Sequence, residues 1–135
     1  DLLFNNNPVE KIRMLQRVLG TLELGLGGRV AINFQRSFLD QLQLREVETE
    51  DIIALARSIR GVDVTLFFKE IGEESYRVSI RSKGSFNSQW VAGPYGGGGH
   101  EHAAGFFCHG SLGMLKEEIL KLIDSGLNRI GGETR

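Results

Sequence analysis

Residues 91–105 read V-A-G-P-Y-G-G-G-G-H-E-H-A-A-G, and the rest of the chain is arranged around them. Four consecutive glycines, Gly96 to Gly99, bring no side chain to a core, and ordering glycine costs more backbone entropy than ordering any other residue. That cost is offset where the backbone must take positive φ, or where a ligand is drawn against bare N–H groups. Residues 100–104 are expected to form one helical turn, stopped by Gly105. A glycine run feeding a helix start aims N–H groups and the positive end of the helix dipole at one point, which makes an anion site. The plain alternative is a surface turn. His100 directly behind the glycines, and the small pair Ala103 and Ala104 that allows close packing, favour a phosphate cradle.

Working outward, residues 62–70 put Val62, Val64, Leu66 and Phe68 on one face, Gly72-Glu73 supplies a turn, and Tyr76, Val78 and Ile80 alternate after it. This is a β-hairpin by its period of two. The other face of its second strand carries Arg77, Ser79, Arg81 and Lys83. A polar face on an antiparallel sheet ordinarily meets water, but the number of cations on this one points beyond that default. Residues 87–92 are expected to form a short helix that Gly93 and Pro94 end. After the glycine loop, residues 106–109 make a short apolar strand. Ser111 then caps a last helix with a stripe of Leu112, Leu115, Ile119, Leu122 and Ile123, fraying beyond Gly126.

Towards the amino end, Asn7 caps a helix over residues 8–23 with Pro8 at its first position and Val9, Ile12, Leu15, Leu19 and Leu22 inward. Gly25, Gly27 and Gly28 break it, and residues 29–35 alternate as a strand through Val30, Ile32 and Phe34. Thr49 caps a second helix through Ile59, ended by Gly61. Helices interleaved with strands predict an α/β fold: a single domain with a mixed β-sheet, one β-hairpin in it, flanked by helices.

A chain of 135 residues is one domain long and buries a real core. Its net charge of -1 excludes a broad attraction to nucleic acid or an anionic membrane, so any anion binding has to be local. No apolar run approaches the roughly 20 residues that span a bilayer, which argues against a membrane partner. The single cysteine, Cys108, excludes an internal disulfide and fits a reducing, cytoplasmic setting. The sequence opens at Asp1 into the polar Asn5-Asn6-Asn7 cluster, which reads as a fragment of a longer protein.

One set of groups carries chemistry. Arg81 offers a fork suited to phosphate oxygens, Ser82 a hydroxyl, Gly97, Gly98 and Gly99 their N–H groups, and His100 a ring donor. Each alone is more often structural, and their joint appearance around a glycine run is what points to a phosphate or phosphodiester. His100, His102, Cys108 and His109 invite a metal, yet residues two apart on a helix diverge and no carboxylate joins them. Cys108 and His109 are neighbours on a strand and face opposite ways, so they form no nucleophilic pair. Trp90 and Tyr95 flank the loop, where packing beneath it is commoner for such a Trp than stacking on a base. Paired carboxylates for acid-base work are not apparent: Asp40, Asp51, Asp63 and Asp124 are scattered.

The string Arg81-Ser82-Lys83-Gly84, followed by Gly96 to His100 and by Ala103-Ala104-Gly105, resembles the C-terminal DHH-associated domain of the DHH phosphoesterases. The family includes RecJ-type exonucleases, oligoribonucleases that also hydrolyse adenosine 3′,5′-bisphosphate, and cyclic-dinucleotide phosphodiesterases. The resemblance implies a separate N-terminal DHH domain of the same protein that holds two manganese ions, while no cofactor belongs to this chain. It implies that Arg81, Ser82, Gly97, Gly98, Gly99 and His100 bind the substrate, a nucleotide or short single-stranded nucleic acid, and that the chain by itself hydrolyses nothing. Asn87-Ser88 and Gly93-Pro94 depart from the residues the family usually has before the loop. The alternatives are a non-catalytic module that binds nucleic acid or a cyclic dinucleotide, and a packing domain whose glycine loop is only structural.

Overall fold

The structure, a computed structural model, describes residues 9–36 and 46–133. In chain order they form α1 (Val9–Gly20), β1 (Glu23–Gly25), β2 (Val30–Gln35), α2 (Glu46–Arg57), β3 (Val64–Gly72) and β4 (Ser75–Ser82). Then come α3 (Gln89–Ala92), a 3-10 turn (Gly93–Tyr95), β5 (Gly98–Gly99), β6 (Ala103–His109) and α4 (Leu112–Glu133). Among the described residues the strands make one six-stranded sheet in the order β1-β2-β3-β4-β6-β5. Strands β2 and β3 run parallel, and the other neighbours antiparallel, so the sheet is mixed as the sequence predicts.

Period-two alternation sorts the strand residues onto two differently covered faces. On one, Met14, Leu15 and Val18 of α1 and Ile52 and Ile53 of α2 close over Phe67. On the other, Val64, Leu66, Val78, Ile80 and Phe106 pack against Leu115, Ile119, Ile123 and Leu127 of α4. Each such side chain, fully buried, contributes about 1.5–3 kcal/mol. Among the described residues, the apolar side chains of α1 and α2 pack on the β2–β3 half of their face, and α2 extends to β4 through Glu50 and Arg81. Phe67 there is buried, while its cross-strand neighbour Ser79 and the next, Gly105, are half-exposed. Among the described residues the β4–β6–β5 half of that face is bare of any apolar layer, and it holds the candidate site.

Several elements depart from the sequence reading. The first helix stops at Gly20, and Thr21 donates its hydroxyl to the Val18 carbonyl at 2.6 Å and accepts from the Phe34 N–H at 2.8 Å, fastening the helix end to β2. The chain then enters an edge strand, β1, and turns back through Leu26, Gly27 and Gly28 at φ 51°, 68° and 87°. Leu24 in β1 is 51% exposed, so no apolar alternation announces it. Thr49 lies inside α2, which starts at Glu46. The Asn7-Pro8 cap lies outside the described residues.

At the other end, α4 runs unbroken to Glu133 instead of fraying at Gly126. Gly126 is buried where α4 meets the α3 region: a Cβ there would lie 2.5 Å from Phe86 Cε2 and 3.0 Å from Trp90 Cε3. The residue is a point of close approach, not a stop signal. Lys83 falls beyond β4 and donates to the Arg57 carbonyl at 2.6 Å, satisfying the end of α2.

Candidate functional site

The glycine run does not lead into a helix. Gly98 and Gly99 form β5, a tight turn comes next, and residues 100–104 continue into β6, with Gly98 opposite Gly105 and Gly99 opposite Ala104. The helical turn expected there loses to cross-strand pairing, which satisfies the same backbone groups. The His100 N–H donates to the Ala103 carbonyl at 2.7 Å, the Gly97 N–H to Ala92 at 2.9 Å and the Gly96 N–H to Gly93 at 2.9 Å. The loop is therefore not a nest of bare donors on a helix dipole. Antiparallel alternation directs the Gly99 N–H to the outer edge of the sheet, where Gln89 donates its side-chain amide to the Gly99 carbonyl.

Three of the four glycines have internal reasons. Gly96 sits at φ 77°; a Cβ on Gly97 would lie 2.2 Å from the Gly105 carbonyl; and Gly99, at φ 150°, would meet the Ala103 carbonyl at 2.5 Å. Gly98 has neither a positive φ nor any atom within 4 Å of an added Cβ. Nothing in this fold asks for a glycine there.

Cross-strand register assembles the remaining groups. Arg81 of β4 stands opposite Ala103 of β6, and Ala103 exchanges backbone bonds with His100, so these three share one row on the bare face. The neighbouring row is Ser79, Gly105 and Gly98. Arg81 is held: its guanidinium pairs with Glu50 of α2 and donates to the Ile80 carbonyl at 3.0 Å, with 19% of the side chain exposed. Five guanidinium donors leave several for a ligand. The His100 ring is exposed and makes no hydrogen bond among the described residues.

Ser82 lies apart from this face. It is fully buried on the α4 side, its hydroxyl 2.9 Å from the Phe86 carbonyl, 3.0 Å from the Glu101 carbonyl and 2.8 Å from the Ser88 hydroxyl. The Ser88 N–H also donates to Glu101 at 2.5 Å, and His102 Nε2 bonds the Gly84 carbonyl at 2.7 Å. These bonds clasp the turn of the glycine hairpin against residues 82–88. Glu50 and Gln89 carry no signal in the sequence, and Ser88 stands there only as a departure from the family pattern, because each supports the site from another element and spacing reports only neighbours along one.

The flanking aromatics are packed. Trp90 meets Phe86 edge-on at 5.2 Å and lies beneath the Arg129 guanidinium, and Tyr95 stacks on Phe106 at 4.7 Å. Burial first, then Glu118, pushes the Tyr95 hydroxyl up to about 12 and the Cys108 thiol up to about 11. Among the described residues no group of three or more His, Cys, Asp or Glu side chains could hold a metal ion, and no helix is long and apolar enough to cross a membrane.

Residues 27–128, spanning both the Arg81 strand and the glycine hairpin, match the DHHA1 domain. The chain belongs to the DHHA1 domain family. This DHHA1 chain is 32% identical over 125 residues to a bifunctional oligoribonuclease and PAP phosphatase of Thermus thermophilus, covering 92% of this chain and 37% of that protein. It is 34% identical over 96 residues to a probable bifunctional oligoribonuclease and PAP phosphatase of Streptococcus mutans, covering 70% of this chain and 31% of the other. Among solved structures it resembles an exopolyphosphatase-related protein of Bacteroides fragilis, with a TM-score of 0.69 at 23% identity, over 94% of this chain and 36% of that one. The DHHA1 chain thus spans about a third of the length of the proteins it matches.

Proposed function

We propose that this DHHA1 chain is the substrate-binding domain of a cytoplasmic DHH phosphoesterase that hydrolyses short oligoribonucleotides and nucleoside 3′,5′-bisphosphates. The observation that carries the reading is the row of Arg81, Ala103 and His100 beside Gly98. It joins a guanidinium, an imidazole with no partner among the described residues, and a glycine whose missing Cβ leaves room on the open face for a ligand. A phosphate there accepts charge-assisted hydrogen bonds from the guanidinium N–H groups that Glu50 and the Ile80 carbonyl leave over, and accepts from the His100 ring. Its approach over Gly98 is unobstructed, and the Gly99 N–H lies at the adjoining edge. The names of the curated relatives favour these two substrate classes.

In this reading manganese belongs to the DHH domain of the same protein. The chain's own part is to bind and orient: fixing a phosphate relative to the attacking group removes much of the entropic barrier to reaction. Gly97 and Gly99 shape the hairpin, and Ser82 holds it from beneath. By itself the chain binds weakly and cleaves nothing.

Titration with adenosine 3′,5′-bisphosphate, followed at the His100 ring and the Gly98 and Gly99 amides by NMR, tests the site. Saturable shifts in the wild type, abolished by Arg81→Ala or His100→Ala, support it. An unperturbed hairpin at millimolar ligand, or turnover by the isolated chain with manganese, overturns the division of labour.

A further inference from the structure

The bare half of the sheet continues past the Arg81 row. Four residues further along β4, roughly 14 Å at strand rise, the same face carries a row of Lys69, Arg77 and Phe107 across β3, β4 and β6. Phe107 is 66% exposed. A single exposed apolar residue is ordinary, but this one shares a row and a face with two cations. Between the two rows lie Ser79 and Gly105, side chains too small to rise from the floor, with Gly98 beside them. A chain of sugar and phosphate can therefore lie close to the strands from one row to the other.

Exposed aromatics flanked by cations on an open antiparallel sheet are what single-stranded nucleic acids use: the ring takes a base by stacking, and the cations take the backbone. We propose that Phe107, with Lys69 and Arg77, forms a stacking subsite for a second nucleotide, so that this face favours a dinucleotide or longer strand over a lone nucleoside bisphosphate. The proposal rests on the phosphate site at Arg81 and His100 and adds to it the feature that discriminates between the two substrate classes. Cationic donors at both ends of a low floor, with Arg81 steadied by Glu50 at one end and Lys69 and Arg77 at the other, complement a strand with phosphates at regular spacing. A protein partner on this face would have to bury those cations.

The test compares the affinity of the chain for 5′-phosphorylated diadenylate and for adenosine 3′,5′-bisphosphate. Phe107→Ala is expected to weaken the dinucleotide about tenfold, as loss of one base stack does, and the bisphosphate less than about twofold. Phe107→Trp, which keeps a stacking face, restores the dinucleotide. If Phe107→Ala leaves the dinucleotide unchanged while Arg81→Ala weakens both ligands, the subsite is wrong and the phosphate site stands. If Phe107→Ala instead abolishes self-association of the chain with dinucleotide affinity intact, the face serves a protein contact and the subsite is again wrong. If the wild type binds neither ligand, the phosphate reading fails and the subsite with it.

Discussion

The hydroxyls of Ser82 and Ser88 meet at 2.8 Å with neither residue exposed to solvent, and both residues also bond the Glu101 carbonyl in the turn of the glycine hairpin. A serine that the sequence reads as a phosphate donor is thereby an internal tie between β4, the approach to α3 and the β5–β6 turn. Ser82→Ala deletes bonds to two carbonyls and strands the buried Ser88 hydroxyl, which costs about 1–3 kcal/mol. Ser88→Ala, which leaves the Ser82 carbonyl contacts in place, is expected to cost about 1 kcal/mol. Urea unfolding measures both. Amide exchange at His100 should accelerate in Ser82→Ala; a variant as stable and as protected as the wild type would remove the tie.

The four glycines separate by one experiment. Gly97→Ala sets a Cβ 2.2 Å from the Gly105 carbonyl and 2.5 Å from Phe106 Cβ, so β5 cannot stay on β6 and thermal stability falls by several degrees or more. Gly98→Ala meets nothing within 4 Å and is expected to melt within about 0.5 kcal/mol of the wild type, the range of a neutral surface change. Its new methyl enters the row of Ser79 and Gly105, where the phosphate is to lie. A folded Gly98→Ala chain that binds adenosine 3′,5′-bisphosphate as well as the wild type would contradict the site.

The architecture was legible where burial imposes a period. β2, the β3–β4 hairpin and the stripe of α4 each repeat apolar residues because each faces a hydrocarbon layer. β1 was not legible, since it is three residues long and exposes Leu24. The turn at residues 100–104 was misread for a physical reason: small residues after glycines suit a helix start as well as a strand pressed against another backbone. Cross-strand pairing with β4 and β5 decides between the two, and it is invisible locally. Arg81, Gly98 and His100, which the fold sets in adjoining rows of one face, stand out in the sequence by residue type, while the burial of Ser82 requires knowing that alternation along β4 turns its even-numbered residues towards α4.

Gly126 tests a second close approach. Helix propensity alone would make Gly126→Ala stabilising by about 1 kcal/mol. The added Cβ would sit 2.5 Å from Phe86 Cε2, and both Phe86 and the edge-on Trp90 would have to shift within a packed interior. Overpacking of this kind costs about 1–3 kcal/mol, so the net effect is destabilising. Denaturant midpoints compare it directly with Gly131→Ala, where nothing lies within 4 Å of an added Cβ and the propensity gain should appear. A stabilised Gly126→Ala would mean that α4 does not press on the α3 region as described.

Cys108 faces the α4 side of β6 with its thiol pushed up to about 11 by burial and, second, by Glu118. Thiolate is the reactive form, so native Cys108 should alkylate with iodoacetamide at pH 8 far more slowly than a free thiol, and unfolding should release the difference. Glu118→Gln removes only the smaller cause and is expected to raise the native rate modestly. The same shift sets a pH window for stability. An unfolded thiol titrates near its ordinary value of 9.0 and the folded one near 11, so between these values the folded state holds more protons than the unfolded state. Stability is therefore unaffected by this group below about pH 9 and declines as pH rises from there towards 11. In Cys108→Ala that part of the alkaline decline should disappear, leaving the decline above about pH 10 to which Tyr95, pushed up from 10.0 to about 12, contributes. Native Cys108 reacting at the rate of an exposed thiol would show that β6 does not hold it against the helix.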